Sequence, residues 1–103
     1  MKRMALIVGF LSVFGVLGVA QGAGDVSAGK AKTASCTGCH GENGEGTASG
    51  PKIAGIPETQ FVQAMHDFKS GKRSNAAMKR FAAKLSDDDM ANIAAYYASL
   101  KSK

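Results

Sequence analysis

Two thiols and an imidazole lie within five consecutive residues of this chain, Cys36-Thr37-Gly38-Cys39-His40. Cysteines three positions apart at the end of a helical turn can each add to one vinyl group on the same edge of a porphyrin. The histidine beside the second thiol is then held under the iron, where its imidazole becomes an axial ligand. The pentapeptide therefore reads as the attachment site of one covalent c-type haem. Both cysteines and one of the two histidines of the chain fall inside it, which leaves few groups for other chemistry. A structural zinc site normally takes four ligands, and only His66 remains as a further nitrogen or sulfur donor of the usual kind. A thiol–disulfide pair would be expected beside a βαβ pattern, and the chain has no strand pattern.

The group on the other side of the iron decides between electron transfer and chemistry. A methionine sulfur there gives a closed, low-spin iron with a raised potential. An open position would permit gas binding or a peroxidase-like reaction. Three methionines lie beyond the N-terminal apolar segment. Met65 and Met90 fall in helical apolar stripes and read as core. Met78 follows the turn-prone stretch from Gly71 to Asn75 and precedes Phe81 and Leu85, so a strap of chain could carry it over the open haem face. His66, at the border of an apolar stripe, is the competing ligand.

The elements that must position these groups read as helices. Asp25 can cap a first helix running from about Val26 to Cys36, with Val26, Gly29, Thr33 and Cys36 on one face. Gly29 in that face marks a close approach by another backbone or a large ring. Residues 41–50 hold four glycines and no large apolar side chain, which makes them a loop, and Pro51 to Ile56 follow as a short extended segment. Pro57 and Glu58 open a second helix whose stripe is Phe61, Ala64, Met65 and Phe68. Ser70-Gly71 stop it. Ala76 to Leu85 form a short irregular helix. Ser86 caps the last helix, with Asp89 in the capping-box position and a stripe of Met90, Ile93, Ala94, Tyr97 and Leu100. The economical fold is all-α, three main helices with short helical turns wrapped around one haem.

A chain of 103 residues offers one domain. Residues 1–23 begin with Lys2 and Arg3, continue as an apolar run and end in small residues. This is the order of a cleaved signal peptide rather than of an uncleaved membrane anchor. Residues 24–103 are then the haem domain, exported to the periplasm. That domain has five aromatic residues and no tryptophan, a thin core for about 80 residues, which a buried haem would fill. The formal charge of +5 falls to about +3 without Lys2 and Arg3. Such a mild basic bias, with no basic-aromatic pattern, excludes a nucleic-acid reading.

Several segments resemble the small class I bacterial cytochromes c, especially one half of the periplasmic di-haem cytochrome c-four group and its single-haem relatives. They are Gly24-Asp25 with Gly29-Lys30, Cys36 to Gly41, Pro51 to Gly55, Asp67 to Arg73, and Leu85-Ser86-Asp87 leading to Ala94-Ala95-Tyr96-Tyr97. The resemblance implies the class I cytochrome c fold and a single-electron carrier, not an enzyme. Its haem would be held by Cys36 and Cys39, with His40 and Met78 on the iron. It also implies that the Pro51 carbonyl meets the ring of His40, that Arg73 pairs with a haem propionate, and that Gly29 packs against Tyr97 or Tyr96. Partners would be redox proteins such as a membrane reductase and a terminal oxidase. Basic residues at 52, 69, 72, 73, 79 and 80 would steer a transient electrostatic docking onto them. The sequence contains one Cys-x-x-Cys-His where the di-haem group has two.

Overall fold

A computed structural model describes residues 24–100, folded into five helices with no strand among them. They are α1 (Val26–Ala31), α2 (Ala34–His40), α3 (Glu58–Ser70), α4 (Ala76–Ala82) and α5 (Asp87–Ala98). The signal-peptide reading of residues 1–23 lies outside the described residues. No helix among those described is long and apolar enough to cross a membrane.

The first predicted helix is two. Thr33 turns its hydroxyl onto the Lys30 carbonyl at 2.8 Å, and the Lys32 N–H reaches back to Gly29. This local side-chain bond competes with continuation of the helix. A new helix, α2, then starts at Ala34 and carries the Cys-x-x-Cys-His residues to its C-terminal end. Asp25 caps α1 by accepting from the Ala28 N–H at 3.1 Å.

The other helix starts follow from their sequences. Pro57 stands immediately before α3 with extended backbone. The Ser86 Oγ accepts from the Asp89 N–H at 3.0 Å, and the Asp89 Oδ2 accepts from the Ser86 N–H at 3.0 Å. This reciprocal cap satisfies two backbone donors at once. Asn75 caps α4 by accepting from the Met78 N–H at 2.9 Å, so Met78 lies inside a regular helix rather than on the preceding strap.

The core is built on α5. Met90, Ile93, Ala94 and Tyr97 are essentially inaccessible, and Phe61 and Met65 of α3 join them. Helix α1 packs against α5, and its glycine explains how closely. A Cβ at Gly29 would collide with the Asn92 carbonyl and lie 3.0 Å from the Ile93 nitrogen. Tyr97 or Tyr96 is the aromatic expected against Gly29; the nearest atoms to that glycine are the α5 backbone at Asn92 and Ile93. The Tyr97 ring abuts Gly44 in the loop, where a Cβ would lie 2.8 Å from it. The segment after the loop is pinned to α5, because the Gly55 N–H donates to the Tyr97 carbonyl at 2.9 Å.

Candidate haem site

Helix α2 brings Cys36, Cys39 and His40 onto one wall of a cavity of about 640 Å³. Their spacing of three and four residues places all three on one helical face. Phe61 and Met65 of α3, and Met78 and Phe81 of α4, line the same space. Its surface is predominantly apolar, and its volume is in the range of cofactor pockets.

The glycine-rich loop acts on His40 directly. Gly41, at φ 98°, ends α2, and the chain then folds back over the helix end. The Gly46 N–H donates to the His40 carbonyl at 2.7 Å, and the Thr47 hydroxyl donates to the Cys39 carbonyl at 2.5 Å. Two carbonyls that the helix leaves without partners are satisfied in this way. Gly50 then passes against the imidazole, so close that a Cβ would lie 2.9 Å from Nδ1 and Cε1. The next residue presents its carbonyl, and His40 Nδ1 lies 2.7 Å from the Pro51 oxygen.

A carbonyl can only accept, so Nδ1 carries the hydrogen and Nε2 keeps its lone pair. That is the tautomer a metal-binding histidine needs. Nothing in the sequence reading singled out Gly50 or Thr47. The available signals were the glycine immediately before Pro51 and a hydroxyl residue in an otherwise small-residue loop.

The candidate ligands lie in different places. His40 and Met78 reach the cavity from α2 and α4. His66 does not line it; its Nε2 lies 3.4 Å from an Asp87 oxygen at the surface. Met90 is fully buried in the core and away from the cavity, whereas Met65 contributes to both. Arg73 is on the cavity rim with its guanidinium 4.5 Å over the Phe68 ring, a cation–π contact that fixes its position. Among the described residues no three His, Cys, Asp or Glu side chains converge to hold a bare metal ion, so a zinc cage from the thiols and His66 does not assemble.

Two further properties suit a porphyrin. Burial raises the Cys36 thiol above its ordinary pKa, with smaller opposing contributions from Ser35 and Tyr97. The thiol is therefore kept neutral next to an apolar space. The predominantly apolar cavity also lies against the main core, since Phe61, Met65 and Ile93 belong to both. A flat apolar body there would extend the core rather than interrupt it. The donor set and the apolar lining both fit a haem attached at Cys36 and Cys39.

Comparison with known proteins gives the same direction. Residues 26–101 match the Cytochrome c family. Cytochrome c4 of Pseudomonas aeruginosa is 46% identical over 97 residues, covering 93% of this chain and 48% of that protein. Cytochrome c-554(548) of Halomonas halodenitrificans is 42% identical over 81 residues, covering 75% of this chain and 98% of that protein. The solved cytochrome c4 of Acidithiobacillus ferrooxidans superposes with a TM-score of 0.70 at 28% identity, covering 79% of this chain and 54% of that one. The chain spans about half the length of the cytochrome c4 relatives it matches. A match that runs from α1 past the end of α5, on a fold shared with a solved cytochrome c4, shows that this chain belongs to the cytochrome c family.

Proposed function

We propose that this chain is a periplasmic single-electron carrier with one covalent haem c, bound through Cys36 and Cys39 and ligated by His40 and Met78. Membership of the cytochrome c family implies the covalent haem, and its residues here divide the work. When bound, the haem supplies an iron that changes oxidation state by one electron. Pro51 holds the Nδ1 hydrogen of His40 at 2.7 Å, which orients the ring and raises the basicity of Nε2. Asn75 starts α4 and so fixes where Met78 meets the cavity. The apolar side chains of α3 and α4 exclude water, which keeps the reorganisation that accompanies a change of charge small. Arg73, stacked on Phe68, offers a positioned cation to a haem propionate.

The observation that carries this reading is that the braced imidazole of His40 and the thioether of Met78 open into one cavity. Ferrous protein should therefore leave its absorption spectrum unchanged when exposed to carbon monoxide. Rapid formation of a carbon monoxide adduct by the wild-type chain would instead assign it an open sixth site and a gas-binding or peroxidase-like role.

The partners in this reading are redox proteins, with a membrane reductase and a terminal oxidase or reductase as the general class. Relatives include proteins named as the electron acceptor of thiosulfate dehydrogenase and as the cytochrome subunit of sulfide dehydrogenase. Those names support a carrier that exchanges electrons with a dedicated enzyme. Lys52 and Arg73 are exposed at the cavity rim, and Lys72, Lys79 and Arg80 are exposed on the neighbouring segments. Lys69 is committed locally, its Nζ donating to the Leu85 carbonyl at 2.7 Å. If the basic residues steer docking, electron-transfer rates with an acidic partner fall as ionic strength rises. Rates that are independent of salt would remove the steering. Export depends on residues 1–23 acting as a cleaved signal, for which the N-terminal residue of the protein recovered from periplasm is the test. Membrane association follows only if that segment is retained.

A further inference from the structure

The Tyr97 hydroxyl is the one buried side-chain polar atom without a hydrogen-bond partner among the described residues. Tyr97 is completely inaccessible, and a hydroxyl left unpaired in such a place is destabilising. Its ring position is set on several sides, by Phe61 at 6.0 Å, Tyr96 at 5.1 Å and the loop backbone at Gly44. The hydroxyl therefore has little freedom to find a partner by moving. Cys36 packs against the core cluster to which Tyr97 belongs, and the side chains of Cys36 and Thr33 are among the groups that bear on the hydroxyl.

These two neighbours differ in what they can still do. Thr33 is buried and held in place, its hydroxyl donating to the Lys30 carbonyl at 2.8 Å and its carbonyl accepting from the Cys36 N–H at 2.8 Å, and its hydroxyl oxygen keeps the lone pairs that make it the rival acceptor. Cys36 faces the cavity on one side and packs against the core containing Tyr97 on the other. Its sulfur can still turn about the Cα–Cβ bond. It is also the neighbour whose chemistry changes on haem attachment. When the sulfur adds to a vinyl group, the thiol hydrogen and the sulfur are both transferred across the double bond. The resulting thioether has no hydrogen and can only accept.

We infer that Tyr97 is a positioning residue for the haem, its hydroxyl donating a hydrogen bond to the Cys36 thioether sulfur from the core side. This inference rests on haem attachment at Cys36, as proposed above. The thioether sulfur, with no hydrogen of its own, offers this unpaired donor an acceptor. The bond holds the Cys36 side chain in one rotamer and draws electron density from a sulfur joined to the porphyrin edge. Tyr97 thus acts on the haem through Cys36 and has no contact with the cavity itself.

The test compares haem-loaded wild type with Tyr97→Phe, which keeps the ring and removes only the donor. Thr33→Val serves as the variant that removes the other neighbour. In Tyr97→Phe the thioether carbon–sulfur band in the resonance Raman spectrum should shift and the midpoint potential should fall. In Thr33→Val both should stay at the wild-type values. In wild-type protein the same Raman band should move when the hydroxyl is deuterated, a measurement that stands even if Tyr97→Phe yields little holoprotein. An unshifted band and unchanged potential in Tyr97→Phe, or no isotope effect in the wild type, would overturn the inference. So would equal shifts in Thr33→Val, because the acceptor would then be Thr33. The mass of the peptide containing Cys36 and Cys39 reports attachment separately, so loss of the haem reading is not confused with loss of the Tyr97 role.

Discussion

Replacing Gly29 with alanine sets two opposing effects against each other. Gly29 is inside α1, where alanine is intrinsically favoured over glycine by about 1 kcal/mol. Propensity alone therefore predicts a more stable protein. The added Cβ, however, would collide with the Asn92 carbonyl and lie only 3.0 Å from the Ile93 nitrogen, where roughly 3.5–4.0 Å is comfortable. The obstructing atoms are backbone in the middle of α5, so no rotamer change relieves them.

Helices α1 and α5 must separate by about an ångström, or α1 must shift along α5. Overpacking of this kind typically costs about 1–3 kcal/mol, and a backbone obstacle argues for the upper end. The net expectation is a loss of about 2 kcal/mol, equivalent to a fall in Tm of roughly 8–16 °C for a domain of this size. Thermal unfolding of the haem-loaded protein, followed by far-ultraviolet circular dichroism, measures it. Gly38→Ala provides the matched comparison, because Gly38 is helical and nothing lies within 4 Å of a Cβ there. That variant should gain about 0.5–1 kcal/mol. A Gly29→Ala protein that melts at or above the wild-type temperature would refute the close packing of α1 on α5.

The other predictions concern the ligand and the acid limb. Met78→Ala should bind carbon monoxide and show a lowered midpoint potential, whereas Met65→Ala should lose about 2–5 kcal/mol of stability with its potential little changed. The reverse pattern would move the ligand to Met65. Asp89 is held below its ordinary pKa of 3.8, chiefly by the Ser86 backbone N–H and to a lesser degree by Lys32. Because its folded value is the lower one, its contribution is complete above 3.8 and is lost as pH falls from there through the folded value. Asp89→Asn should therefore show a shallower loss of stability below that pH in acid titrations, and an unchanged slope would contradict the assignment.

What could be read from the sequence was whatever depends on local chemistry or helical period. The Ser86 cap, the start of α3 after Pro57, and the stripes of α3 and α5 are local signals of that kind. Met78's separation from the core stripes also pointed to the cavity it lines. Relations between segments distant in the chain were harder. Gly29 signalled a close approach, but period alone could not say that its nearest neighbour is the Asn92–Ile93 backbone. The break between α1 and α2 depends on one Thr33 hydroxyl choosing the Lys30 carbonyl, a choice a helical face pattern does not register. Gly50 looked like one more loop glycine, yet only a residue without a Cβ lets the chain lie flat on His40 and deliver the Pro51 carbonyl.

The most direct test of His40 and Met78 as the iron's two ligands is the visible absorption spectrum of the oxidised, purified protein. A low-spin Soret spectrum with the weak red band of a methionine sulfur on ferric iron, lost in Met78→Ala, is the predicted result. A low-spin spectrum without that band would contradict Met78 as a ligand, and a high-spin spectrum would contradict the carrier reading as well.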